Sequence, residues 1–308
     1  MRSDAICTRL ALVVVALAAT AAYAQGDSQD GDAKPLLQRE NLFVMGHRGM
    51  GEEAPEGTLD SFREAWKLGL APEADIRTTK DGAIVSFHDD NFQRILPTAS
   101  ASVKAQGVKD LTLEELRKLD VGAYKGERFK GQRPVAVAEI VAALKEDPKR
   151  LVVCDLKNVE LPQFARETQE VWPQIYLTSS DRRALKEWKK LAPTSKTRLW
   201  TPRAWVDKPD DRRAGFQAVL EDEFDAIDVY EIHAKLDRNG LVAPTADEVK
   251  RMAQDTSKRG VLLEIMPLTF GDHEFPYVML LEAGADALST DYPTPTVSAI
   301  ERYFETRR

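Results

Sequence analysis

The feature that most constrains this chain is an alternation, from Leu42 onward, of short apolar runs bounded by turn residues with longer amphipathic stretches. The apolar runs at 42–46, 73–77, 83–87, 151–155, 175–178, 198–201, 226–230, 261–266 and 287–289 read as strands. The stretches at 58–68, 112–119, 137–145, 182–191, 213–220, 246–258 and 276–283 read as helices, with a last one after Pro293. Thr112-Leu113-Glu114-Glu115 and Thr245-Ala246-Asp247-Glu248 have the spacing in which a Thr hydroxyl and a Glu carboxylate cap each other's backbone N–H groups. About eight strands, most followed by a helix, over about 270 residues suit a (β/α)8 barrel, an α/β fold in one domain. A doubly wound sheet suits them less, because no Gly-rich phosphate loop is present. Residues 91–133 form the irregular part, an insertion that a barrel would carry over the C-terminal face of its strands.

The first residues belong to a different physics. Arg2 and Arg9 precede the apolar run Leu10 to Ala19 and then Ala22-Tyr23-Ala24, the pattern of a cleaved export signal. That run is well short of the roughly 20 residues that span a bilayer, and no later run reaches that length. Cys7 lies before the run, where no lipid anchor forms. The expected organisation is a signal over 1–24, a flexible polar leader over 25–38 and the barrel over 39–308, in a periplasmic or secreted protein without a stable membrane anchor. Cys154 is then the one remaining cysteine, so no internal disulfide forms, and its place in Leu151-Val152-Val153-Cys154 reads as core packing. Losing Arg2, Arg9 and Asp4 takes the net charge from -7 to -8. Such a surplus does not suit nucleic acid, and a small or lipid-derived substrate is expected.

Polar residues that carry chemistry gather at the expected strand ends. Gly46-His47-Arg48-Gly49 ends the first strand, Glu73-Ala74-Asp75 lies in the second, His88-Asp89 ends the third and Asp155-Leu156-Lys157 ends the fourth. In a barrel all these ends open on one face, so residues distant in sequence meet. Glu73 and Asp75 are two apart on an extended segment and share one side, as oxygen ligands of one hard cation would; Asp155 supplies a third carboxylate. Only four histidines occur in the chain. With two of them at strand ends, phosphodiester cleavage is the matching chemistry: His47 and His88 move protons on opposite sides of phosphorus, while Arg48 or Lys157 holds its oxygens.

Several further segments then carry a family resemblance. Gly46-His47-Arg48-Gly49, Ala54-Pro55-Glu56-Gly57-Thr58, Glu73-Ala74-Asp75-Ile76, Thr79-Lys80-Asp81-Gly82, Ile84-Val85-Ser86-Phe87-His88-Asp89 and Thr290-Asp291-Tyr292-Pro293 resemble, in order and spacing, the glycerophosphodiester phosphodiesterase family. The resemblance implies a TIM barrel that hydrolyses glycerophosphodiesters to sn-glycerol 3-phosphate and an alcohol with a divalent cation, calcium or magnesium. It implies His47 and His88 as the acid and base, Glu73, Asp75 and Asp155 as metal ligands, Arg48 and Lys157 on the phosphate, and Glu56 behind them. It places Glu264, Met266 and Phe270 near the substrate's alcohol or glycerol group. His233, at a late strand end, is a candidate for the same face, and His273 reads as a loop residue. Asp155 stands where the family usually has Glu, and Gly57 where it usually has Asn; Pro72 removes a backbone donor at a strand start. These departures keep two alternatives open: a relative acting on lysophospholipids or sphingomyelin, for which the polar insertion offers little apolar surface, and a binding protein without turnover.

Overall fold

A computed structural model of the chain describes residues 41–237, 240–268 and 275–307. The expected signal over 1–24 and leader over 25–38, together with Phe270 and His273, lie outside them. Eight strands pair in parallel and close on themselves: β1 (Phe43–Gly46), β2 (Ala71–Thr78), β4 (Val152–Asn158), β5 (Ile175–Ser179), β6 (Lys196–Trp200), β7 (Val229–Asp237), β9 (Leu262–Pro267) and β10 (Ala287–Thr290), with β1 joining β10 on one side and β2 on the other. The expected barrel is therefore the fold observed. Two short strands stand outside the ring, β3 (Ile84–Ser86) and β8 (Gly240–Ala243), each folding back antiparallel on the strand before it.

This corrects the reading of the third apolar run as a barrel strand. β2, eight residues long, overshoots the rim, and the turn at Gly82 sends β3 back along it, pairing Ser86 with Ile76. Period-two patterning is the same in either direction, so the sequence did not distinguish a ring strand from a returning one. The hairpin of β7 with β8 went unread for the related reason that the β8 pattern is short and carries only weak alternation.

Helices cover the outside: α1 (Leu59–Lys67), α4 (Val137–Glu146), α5 (Leu161–Thr168), α6 (Arg182–Leu191), α7 (Pro209–Glu221), α8 (Ala246–Ser257), α9 (Phe275–Ala283) and α10 (Pro293–Glu305). Two single-turn helices, α2 (Ala101–Lys104) and α3 (Leu113–Leu116), lie in the insertion. The Thr112 and Thr245 caps close reciprocally with Glu115 and Glu248 as the spacing implied. One core fills the gap between strands and helices, where Phe164 of α5 stacks on Trp188 of α6 with 5.2 Å between ring centroids. Cys154 belongs to that core. A second apolar layer of Phe43, Met45, Ala71, Val153 and Ala287 plugs the N-terminal end of the barrel interior. The insertion has a core of its own, Phe87, Phe92, Ile95, Val108, Leu116 and Val121, and so is a packed cap rather than a loose loop.

Because Phe164 is fully buried between α6 and the strands, Phe164→Ala should lower unfolding free energy by about 3–5 kcal/mol. Urea denaturation followed by circular dichroism measures this.

Candidate active site

Each site side chain is set by the end of a strand or by the cap. His47 follows β1, and its backbone N–H donates to Thr290 O of β10 at 3.0 Å. The chain then turns sharply: Arg48 has φ 52°, a left-handed conformation costly for a residue with a Cβ, followed by Gly49 at φ 101°. Two contacts hold Arg48 there. Its N–H reaches Glu73 Oε2 at 3.2 Å, and its Nη1 reaches Glu56 Oε2 at 3.3 Å. Its Nε is buried without a partner among the described residues.

His47 donates from Nδ1 to Asp291 Oδ1 at 2.5 Å, and its Nε2 lies 3.6 Å from Glu73 Oε2. Burial opposes the imidazolium, but the Asp291 hydrogen bond and the Glu73 charge outweigh it and hold the His47 pKa above the ordinary histidine value. Burial likewise opposes ionised Asp291, yet its bond to His47 keeps its pKa low. His88 arrives from the other direction, carried by the returning strand: Phe87 N donates to Asp75 O at 2.7 Å, and Arg77 Nη2 holds His88 O at 2.7 Å. His88 Nδ1 meets Asp89 Oδ1 at 2.7 Å. Both imidazoles therefore turn Nδ1 to a carboxylate, which leaves Nε2 of each as the edge available to a substrate.

Glu73, Asp75 and Asp155 are all buried, and Asp75 pairs in register with Asp155 on the adjacent strand. Burial, and then the Glu73 charge, raise the Asp75 pKa; burial raises that of Asp155 against the pull of Lys157. Lys157 Nζ lies 2.5 Å from Asp155 Oδ2 and 3.1 Å from Asp75 Oδ1. Trp200 Nε1 takes the other Asp155 oxygen at 3.3 Å. Among the described residues no three His, Cys, Asp or Glu side chains are gathered closely enough to hold an ion as they stand. Asp75 and Asp155 therefore share the Lys157 ammonium, with Trp200 on the far oxygen of Asp155, and the ammonium supplies part of the neutralisation that close carboxylates require.

Deeper in the barrel, Arg198 donates to Glu264 from Nε at 2.6 Å and Nη2 at 3.0 Å, and to Thr178 Oγ1 at 3.0 Å, with Ser289 bonded to the same carboxylate. This overturns the reading of Glu264 as a substrate contact: its carboxylate is fully buried and committed to Arg198. Met266, by contrast, lines an 820 Å³ groove that begins at His47 and Asp291 and runs past His233, Arg203, Leu236 and Val242. His233 therefore does reach the open face, with its pKa pushed down to about 4 by burial and then by Arg198. Burial pushes the neighbouring Glu231 up to about 8. The Cys154 thiol, raised by burial, points away from this chemistry as its packing position implied.

Gly57 explains its own departure from the expected Asn. It holds φ 62°, and a Cβ there would lie 2.9 Å from Ser86 O, so this chain brings β3 too close for a side chain. Asp291 and Arg94, which the sequence reading gave no role, contact the imidazole and carboxylates just described; an acid directly after the last strand was the signal available for Asp291. A histidine NMR titration should place His47 above and His233 below the free imidazole value. Asp291→Asn should bring the His47 value down, because it removes the charged acceptor.

A family model described as the glycerophosphoryl diester phosphodiesterase family matches residues 47–294. A glycerophosphodiester phosphodiesterase of Caldanaerobacter subterraneus subsp. tengcongensis is 26% identical over 270 residues, covering 84% of this chain and 98% of that protein. The Bacillus subtilis protein YhdW, named as a putative glycerophosphodiester phosphodiesterase, is 38% identical over 120 residues, 38% of this chain and 45% of its own length. Among solved structures, an Oleispira antarctica phosphodiesterase in complex with the product sn-glycerol-3-phosphate shares the fold, with TM-score 0.63 and 22% identity over 85% of this chain and 98% of that one. A glycerophosphoryl diester phosphodiesterase from Parabacteroides distasonis does so with TM-score 0.64 and 20% identity over 86% and 89%. With the model spanning both imidazoles, the buried carboxylates and Asp291, the chain belongs to the glycerophosphoryl diester phosphodiesterase family.

Proposed function

We propose that this enzyme hydrolyses glycerophosphodiesters to sn-glycerol 3-phosphate and an alcohol, with His47 and His88 exchanging protons at the reacting phosphate. The observation that carries the reading is the pair of imidazoles, each held at Nδ1 by its own carboxylate, on either side of a buried acidic strand and two cations. Arg48 and Lys157 bind phosphate oxygens: Arg48 through the guanidinium held beside Glu56, Lys157 as a compact charge between Asp75 and Asp155. One histidine withdraws a proton from the attacking water and the other gives one to the departing alcohol, each oriented by its aspartate as a general base or acid must be.

The donor set suits a hard divalent cation, since burial and then the Glu73 charge raise the proton affinity of the Asp75 carboxylate unless positive charge is near. Glu73, Asp75 and Asp155 are the residues that would hold it, and when bound it would neutralise charge on the phosphate oxygens. Export is part of the same reading, supported by Arg2, the run from Leu10 and Ala22-Tyr23-Ala24.

The groove supports a second reading of the substrate. Its described wall includes Val206, Leu236, Val242, Met266 and Leu268, and Val242 is 53% exposed at its edge. An aliphatic arm on the phosphodiester, as in a lysophospholipid, would lie there; the surface it needs is on the β7–β8 side and not on the polar insertion.

Purified protein given glycerophosphocholine, glycerophosphoethanolamine and lysophosphatidylcholine should release glycerol 3-phosphate from the first two, read by an enzymatic assay. His47→Ala and His88→Ala should each slow turnover by about 10²–10⁴-fold. A chelator should abolish it and calcium, magnesium or manganese restore it. Activity surviving both chelation and His47→Ala overturns the mechanism, while preferred cleavage of lysophosphatidylcholine selects the second reading. Mass spectrometry of the exported protein should find Gln25 as its first residue.

A further inference from the structure

Among the insertion's side chains, Arg94 makes the most contacts with the site. Arg94 donates from Nη1 and Nη2 to the two oxygens of Glu56, both at 2.7 Å, and from Nε to Asp89 Oδ2 at 2.8 Å. Glu56 lies on the loop after β1 and also receives Arg48; Asp89 follows β3 and receives His88. A single planar guanidinium therefore ties together two carboxylates from different loops, each of which orients a different site residue. We propose that Arg94 is a positioning residue for the hydrolysis: it fixes the placement of the His88 imidazole relative to Arg48. The inference rests on the function proposed above.

Three observations separate this from an ordinary surface ion pair. An exposed pair contributes little, and Arg94 is itself 43% exposed, but the Glu56 side chain is only 10% exposed and is held bidentately. Both acids keep their carboxyls below the usual range: burial opposes this, and the Arg94 hydrogen bond is the largest effect favouring the charge on Glu56, as the His88 and then the Arg94 bonds are on Asp89. Without Arg94, Glu56 and Asp89 would face each other as like charges, and Asp89 would lose the contact that keeps Oδ1 aimed at His88. The three N–H vectors used are fixed in one plane, so a lysine cannot reproduce them.

The test uses Arg94→Ala and Arg94→Lys in the full protein, with glycerophosphocholine as substrate. Both should lower kcat by about 10–100-fold, the usual range for a group that orients a catalytic one, with KM changed less than about threefold. Guanidinium ion at sub-denaturing concentration should restore part of the rate to Arg94→Ala and none to His88→Ala. Asp89→Asn combined with Arg94→Ala should lose less than the product of the two single losses, because part of the Arg94 effect runs through Asp89. An activity-independent readout is the ¹H–¹⁵N spectrum of the histidine rings. Neutral His88 should carry its proton on Nδ1 in the parent protein and divide between the two nitrogens in Arg94→Ala. Full activity of Arg94→Lys, an undivided His88 tautomer in Arg94→Ala, or a loss confined to melting temperature overturns the inference. Absence of turnover in the parent protein would instead overturn the proposed function, and the ring spectrum would still decide the role of Arg94.

Discussion

The structure depends on how charge is balanced inside a closed barrel. Glu73, Asp75, Asp155, Glu231 and Glu264 are all buried within or at the rim of a ring of eight strands, where an unpaired carboxylate costs several kcal/mol. Arg198 meets that constraint from below, engaging Glu264 in a bidentate pair and lying 3.9 Å from Glu231. The apolar layer of Phe43, Met45 and Val153 seals the end beneath it. Above this level Lys157 lies between Asp75 and Asp155, and the Arg48 N–H reaches Glu73. The five buried acids thus meet fewer cations than carboxylates, a balance that suits the anionic ester and cation proposed above.

That arrangement explains which parts were legible in the sequence. Strands such as 151–155 and 287–289 are buried on both faces and appear as continuous apolar runs with acids at their ends, so both the barrel and its rim residues could be read. The fold brings His47 to Glu73 and the strand before His88 to Asp75. Direction and pairing were not legible: nothing local says that β3 returns along β2, that α5 opens at Leu161-Pro162, or that Lys157 falls between Asp75 and Asp155. Glu264 read as a rim acid because its partner, Arg198, lies 66 residues away in sequence. Arg94 sits in a polar stretch whose pattern resembles any solvated loop, and only the fold brings Glu56 to it.

Gly57 and Asp155 looked like erosion of a motif, and the structure gives each a local reason. At Gly57 the close approach of Ser86 leaves no room for a side chain. At Asp155 the shorter carboxylate is matched by a lysine two residues on and an indole from β6, so its oxygens are occupied rather than orphaned. Neither change removes an imidazole or its aspartate.

The two imidazoles do not belong to the same architectural unit. His47 is anchored to the ring itself, between β1 and β10, whereas His88 rides on a hairpin whose far side is built into a separately cored cap. The distance between the two rings is therefore set by how the cap seats on the barrel, through contacts such as Phe87 N–H to Asp75 O, and not by the packing of either core alone.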